Sequence, residues 1–416
     1  MSIEEGRYRE YTLSNGIRAL HRQRKGKVAH LVLMINTGSR DEAPNESGLA
    51  HCIEHMIFKG TENRKAYHVL SCLENVGGDL NAFTTKEETC IHASFLKEHY
   101  KRSFDLFSDI VFHSVFPETE LEKEKEVILD EIRSYRDSPA EEIYDVFEDV
   151  LFENHPLGRN ILGTEEMVKN YARHHLTDFI ARHYSTDRMV LSSIGDISFE
   201  EFKRLVDRYF SDKPCHHTPL CRAPFSPECR KERIYERESH LSHIIIGGIA
   251  PKYENPVRYP LVLMNNILGG PGMNSRLNLN IREKYGFAYT LESQYNAYSD
   301  IGLICVYMGI DPGSLHKASN LIYKELNKLR NTRLGTLQLY HGKQQLIGQL
   351  ALGYESGMNE LLSVSRTVLM GEPIEYVPEI IQKIEMVKAD EVLEAANLVF
   401  DQDNLSTLVF KGRTNP

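Results

Sequence analysis

No apolar run in this 416-residue chain approaches the roughly 20 residues of a membrane-spanning helix, so helical membrane passage is not expected. The N-terminal stretch MSIEEGRYREY has no basic start and no apolar core. It also lacks the Arg-rich, acid-poor character of an organelle-targeting peptide, and a cytoplasmic location is the expectation. Basic excess is missing too. The formal net charge of −10 argues against nucleic-acid binding and is compatible with basic peptide substrates. Seven cysteines, odd in number and without a C-x-x-C pair, fit a reducing compartment rather than a disulfide scaffold. No G-x-S-x-G elbow or Cys/His nucleophile pattern offers a covalent route to hydrolysis. The loop with Gly269, Gly270 and Gly272 has no G-K-[ST] ending, which disfavours a phosphate-binding P-loop and favours a flexible turn.

What the chain does contain is His51-Cys52-Ile53-Glu54-His55, in the run NESGLAHCIEHMIFKG. As a helix, this places His51, Glu54 and His55 on one face at i, i+3 and i+4. Two imidazoles one turn apart are a zinc-ligand pair, and the carboxylate between them is placed to activate a water. Asn45 or Ser47 is expected to cap the helix and Gly60 to end it. Leu49, Ala50, Ile53, Met56, Ile57 and Phe58 spread apolar groups around it, so burial is expected. A buried helix with two His and one Glu must pair them, bind a metal with them, or lose stability. A hydrogen-bonded core network is the alternative to a metal site at this point.

A second acidic helix is predicted in FPETELEKEKEVILDEIRSYRDSP, ending before Pro139. Glu124 and Glu131 lie two turns apart beside its apolar stripe of Leu121, Ile128, Leu129 and Ile132. Spacing alone leaves these acids as solvated side chains, the usual fate of such a face. The cluster Cys215, His216, His217, Cys221 and Cys229 could suggest a second metal site. With Pro214, Pro219, Pro224 and Pro227 among them, it reads better as an extended linker.

The chain has the length of two domains. Strands are predicted at His30–Ile35, Thr89–Phe95 and Met189–Ile194, after a hairpin at Asn15-Gly16. The order repeats at an offset of roughly 215 residues: Leu241–Ile249, an apolar helix at Tyr259–Leu268, Phe287–Tyr295, Gly302–Met308 and Leu405–Phe410. The helix of the second copy has Leu261, Met264, Asn265 and Asn266 but no His or Glu, so the duplicate is expected to lack the metal. The predicted fold class is α+β: two tandem domains, each a mainly antiparallel sheet with helices on one side. Expected boundaries are 1–211, a Pro-rich linker at 212–230, and 231–416.

Glu131 stands 76 residues past His55 (131 minus 55), and with this the chain resembles the pitrilysin-type, or inverzincin (M16), zinc metallopeptidases. The resemblance continues in EVILDEI, GGDLNAFTTKEETCIHASF, HPLGRNILGTEE and GGPGMNSRLNLNIREKYGFAYTLESQY. The layout is most similar to the short-subunit bacterial members akin to mitochondrial processing peptidase. The resemblance implies tandem α/β-roll domains and one Zn²⁺ per chain, held by His51, His55 and Glu131. It implies Glu54 as general base on water, Glu124 as a supporting residue behind the metal, and Arg282 and Tyr289 as substrate and oxyanion ligands. Asn81, Ala82, Phe83 and Thr84 match the edge strand on which a peptide adds as a further strand. A homodimer is implied, with each zinc half completed by the Arg/Tyr half of its partner. The expected activity is zinc-dependent endoproteolysis of peptides or unfolded segments in an enclosed chamber. The alternatives are a non-catalytic, core-type scaffold of the same fold and a zinc hydrolase of another substrate class. Retention of His51, Glu54, His55 and Glu131 weighs against a scaffold.

Overall fold

The computed structural model describes residues 6–215, 219–226 and 230–413. These form two compact units, each built on one sheet. The first sheet contains β1 (Arg9–Thr12), β2 (Arg18–Gln23), β3 (Val28–Ile35), β4 (Asp79–Thr84), β5 (Thr89–Leu96) and β6 (Met189–Gly195), in the order β1-β2-β6-β3-β5-β4. Only β2 and β6 run parallel. The opening hairpin turns where Asn15-Gly16 predicted. Gly16 has φ of 95°, and a Cβ there would meet Asp187 at 2.9 Å, so glycine is required.

The second sheet contains β7 (Glu232–Glu236), β8 (Ser242–Ala250), β9 (Ala288–Ala297), β10 (Gly302–Ile310) and β11 (Ser406–Lys411), in the order β7-β11-β8-β10-β9. Again one pair, β7 and β11, is parallel. Strand for strand this is β2-β6-β3-β5-β4, so the two units share one topology. Each predicted strand is present, with ends shifted by a few residues at most.

Alternation decides the faces. Ala29, Leu31, Leu33 and Ile35 of β3 enter a core with the helices α1 (Leu49–Met56), α2 (Ala66–Glu74), α3 (Tyr100–Phe112) and α4 (Glu118–Arg136). Val32 and Met34 point to the other face and are fully buried as well. That face is covered by the helix Gly357–Leu369, which packs on β3 and β6. Its Glu360 accepts from Tyr8 at 3.0 Å and Arg22 at 2.6 Å. The second sheet repeats the arrangement. Ile244, Ile246, Ile304 and Val306 face one core. Ile245, Leu303, Cys305, Tyr307, Leu408 and Phe410 face another, closed by Ile143, Phe147 and Leu151 of α5 (Pro139–Leu151).

The structure adds two features to this plan. Beyond the helices on one side, a further helix covers the second face of each sheet, because both faces are apolar and neither can be left to water. The halves are also not contiguous. One unit takes residues up to Arg133, Arg159–Arg222 and Gly353–Ile374; the other takes Ser134–Gly158, Ala223–Leu352 and the chain from Glu375 on. The covering helix of each sheet is encoded among the residues of the other half. Among the described residues, no helix is long and apolar enough to cross a membrane.

Phe147 is fully buried on the helix that closes the second sheet. Phe147→Ala is expected to destabilise that unit by about 3–5 kcal/mol, read as an earlier unfolding transition in urea. An unchanged transition would show that α5 is not part of its core.

Candidate metal centre

Helix α1 is short and almost wholly buried: Leu49, Ala50, Cys52, Ile53 and Met56 are closed off in the first core. Its cap differs from expectation. The N-cap is Gly48, at φ of 94°, and neither Asn45 nor Ser47 caps the helix by its side chain. Glu42, six residues upstream, accepts from Gly48 N at 3.0 Å and from Ala50 N at 2.8 Å. A buried carboxyl group thus accepts from two of the open N–H groups at the start of the helix. Gly48 is forced by a close approach: a Cβ there would meet Leu162 O at 2.5 Å and Gly163 Cα at 2.8 Å. Leu162 and Gly163, within HPLGRNILGTEE, therefore pack against the start of α1. The helix ends at Met56, before Gly60.

The His51 and His55 rings meet edge to face with centroids 4.6 Å apart. Glu131 reaches them from α4. Its Oε2 lies 3.7 Å from His51 Nε2 and 3.7 Å from His55 Nε2. These distances are too long for hydrogen bonds. Ligands around one tetrahedral zinc ion, with bonds near 2 Å, stand about 3.3 Å apart, so the spacing suits a shared cation. The three ligand atoms all lie within 4.8 Å of one another, and they are the one such group among the described residues. Two imidazole nitrogens and one carboxylate oxygen are donors that suit zinc.

The electrostatics agree. Burial, with His55 adding to it, holds the His51 imidazole down to about 3, so it is neutral and ready to coordinate. Its Nδ1 is buried without a hydrogen-bond partner. His55 is held differently: Glu124 Oε2 lies 3.1 Å from its Nδ1, which leaves Nε2 toward Glu131. Lys59 Nζ lies 2.5 Å from the other Glu124 oxygen. Burial raises the Glu54 carboxyl, with Thr84 and His55 opposing it and Glu131 adding to it. A lifted carboxylate is a better proton acceptor. Cys52, inside the same pentapeptide, is fully buried and its thiol is pushed up to about 12, so it is inert.

Asn81, Ala82, Phe83 and Thr84 lie on β4, which pairs with β5 on one side and is the edge of the first sheet on the other. Thr84 of that strand faces Glu54. Arg282 and Tyr289 belong to the second unit. Arg282 sits on a π-helical turn, Asn278–Glu283, and Tyr289 is exposed on β9, an edge strand of its own sheet. The helix Arg258–Gly269, in the place of α1, carries no His or Glu. Cys215 and Cys221 are exposed; His216, His217 and Cys229 lie outside the described residues. Sequence reading missed Glu42 and Lys59. Nothing local marks Glu42, whereas Lys59 is four residues past His55 and could have been read as its neighbour one turn on.

Comparison with known proteins bears on the whole chain. Residues 18–165 match the family described as insulinase (peptidase family M16), and residues 171–346 match the one described as peptidase M16 inactive domain. The uncharacterized zinc protease YmxG of Bacillus subtilis (strain 168) is 32% identical over 403 residues, 96% of this chain and 98% of that protein. The uncharacterized zinc protease ML0855 of Mycobacterium leprae (strain TN) is 29% identical, over 94% of this chain and 89% of its own length. The crystal structure of a protease from Helicobacter pylori superposes with a TM-score of 0.91 at 20% identity, over 98% of this chain and 99% of that one, which shows a shared fold.

Glu42 offers a pH test. Burial lifts its carboxyl from an ordinary 4.5 to about 8, against the pull of the Ala50 and Gly48 amides and Arg159. A folded pKa above the unfolded one gives stability that is full below about 4.5 and lost as pH rises through about 8. Glu42→Gln keeps an acceptor but does not titrate. The stability of the wild type relative to this variant is expected to fall between about pH 5 and 8.5 in calorimetric melts. A flat difference would exclude a raised Glu42.

Proposed function

This chain belongs to peptidase family M16, and from that premise we propose that it is a zinc-dependent endopeptidase acting on extended peptides or unfolded segments. The observation that carries the reading is the convergence of His51 Nε2, His55 Nε2 and a Glu131 oxygen beside a half-buried Glu54 that is outside that group. A structural ion would be satisfied by ligands alone. A carboxylate one turn away, on the ligand helix yet outside the ligand set, has the position of a proton carrier.

His51, His55 and Glu131 would hold one Zn²⁺. When bound, the ion polarises the scissile carbonyl and lowers the pKa of water at the site. Glu54 then takes the proton of the attacking water and passes it to the departing amine. Between the two transfers its carboxyl holds that proton, a task eased by the burial that already favours the neutral form. Glu124 keeps the His55 ring in the orientation that presents Nε2. An extended peptide would pair with the free side of β4, at Asn81, Ala82, Phe83 and Thr84, as one more antiparallel or parallel neighbour. Backbone pairing reads little sequence, so selection would be for extended, unfolded chain.

Arg282 and Tyr289 would serve as donors to the substrate and to the oxyanion of the tetrahedral intermediate. In the proposed homodimer they reach the zinc half of the partner copy, so each site is completed in trans. The exposure of both side chains supports their availability to another molecule.

Glu54→Gln is expected to lower cleavage of a quenched peptide about 10³-fold while zinc content stays at one ion per chain by atomic absorption. A chelator should abolish wild-type activity and added Zn²⁺ restore it. Full activity in Glu54→Gln would end the mechanism, and a zinc-loaded wild type that cleaves no peptide would point to another hydrolase. Mixing Glu54→Gln with Tyr289→Phe chains should regain activity above either parent; no regain would exclude shared sites.

A further inference from the structure

We infer that Lys59 is a positioning residue of the metal centre: its ammonium clamps Glu124 and, through it, sets the His55 imidazole. The inference rests on the zinc reading of the site. Lys59 follows α1 directly, in a turn closed by its own N–H to Met56 O at 3.1 Å. Its Nζ lies 2.5 Å from Glu124 Oε1, while Glu124 Oε2 lies 3.1 Å from His55 Nδ1.

A carboxylate held by one donor can still rotate about its last bond. Here each Glu124 oxygen has its own donor, on a side chain that is 10% exposed, so the plane is fixed. The fixed plane commits His55 to carry its proton on Nδ1 and to offer the Nε2 lone pair toward Glu131. His51 has no such support, because its Nδ1 is buried without a partner. Of the two imidazoles, His55 is therefore the one anchored from behind, and Lys59 completes the anchor.

Charge gives a second reason. Glu54, Glu124 and Glu131 bring three carboxylates to one site, against Lys59 as the ammonium paired among them. When all three are ionised and the imidazoles neutral, the set carries two net negative charges, which a divalent ion cancels. Without Lys59, Glu124 is an uncompensated, largely buried anion beside two others. No neighbour replaces it. Lys125, next to Glu124 on α4, directs its ammonium to Glu122 at 2.6 Å and to Lys169 O at 3.3 Å.

The test is Co²⁺ and Zn²⁺ affinity of the full chain, by competition with a chromophoric chelator, with the visible spectrum of the Co²⁺ form as a second readout. Lys59→Met is expected to weaken binding about 10–100-fold and to alter the Co²⁺ bands. Lys59→Arg should restore most of the affinity, and Lys125→Met should leave both readouts unchanged. The double variant Lys59→Met/Glu124→Gln should bind no more weakly than Glu124→Gln alone, because Lys59 acts through Glu124. Wild-type affinity in Lys59→Met, or additive losses in the double variant, would overturn the inference. A wild type that binds neither ion would instead overturn the zinc reading. If Lys59→Met does not fold, Lys59→Gln against Lys59→Arg decides: Gln must weaken binding and Arg must not.

Discussion

Burying a helix that carries two imidazoles and a carboxylate is the constraint on which this structure turns. Helix α1 is packed on nearly all sides by the first core. A polar group on it that is closed off from water needs a partner or costs stability; His51 Nδ1 is left without one, while Glu54 and His55 are half-buried. The surrounding elements answer that demand piece by piece. Glu42 takes the amino end of the helix, Glu124 takes His55, Lys59 takes Glu124, and Glu131 closes on both rings. The result is an excess of carboxylates: Glu54, Glu124 and Glu131 stand against the one ammonium of Lys59.

The duplicated unit shows what the fold needs without that charge. Its sheet has the same strand order and its helix Arg258–Gly269 fills the same layer with Leu261, Leu263, Met264 and Leu268. No counterpart of the buried acid network around α1 is needed there, since the helix brings no imidazole and no carboxylate inside. The architecture is thus independent of the His/Glu cluster, which only the first copy carries. Arg282 and Tyr289 reach solvent from the other copy, on a π-helical turn and an edge strand, settings where backbone irregularity and free hydrogen-bonding groups commonly serve function.

Much of this was legible in the residues. The central strands are long β-branched and apolar runs buried on both faces, so β3, β8 and β10 could be read almost to their ends. The pentapeptide and the two-turn spacing of Glu124 and Glu131 are local patterns, though the choice of Glu131 over its acidic neighbours came from family resemblance. Other features had no local signal. An amphipathic helix such as α5 announces an apolar stripe but not which sheet will receive it, so the exchange of covering helices could not be read. Strand β7, ERIYE, is exposed at every residue and lacks the alternation that marks a half-buried strand. Glu42 caps its helix across a loop, where Asn45 and Ser47 were nearer and chemically better suited.

The exchanged helices also set the order in which the chain can become a protein as it leaves the ribosome. The last strand of the first sheet ends at Gly195, yet the helix that covers its far face begins at Gly357, 162 residues later (357 minus 195). At synthesis rates of about 5–20 residues per second, that face waits roughly 8–30 s for its cover. During this interval Leu20, Val32, Met34 and Val190 form an open apolar surface on a nascent sheet. The two halves cannot mature one after the other, as beads on a string would. The first must stay unfinished, or be shielded by a chaperone, until most of the second has been made.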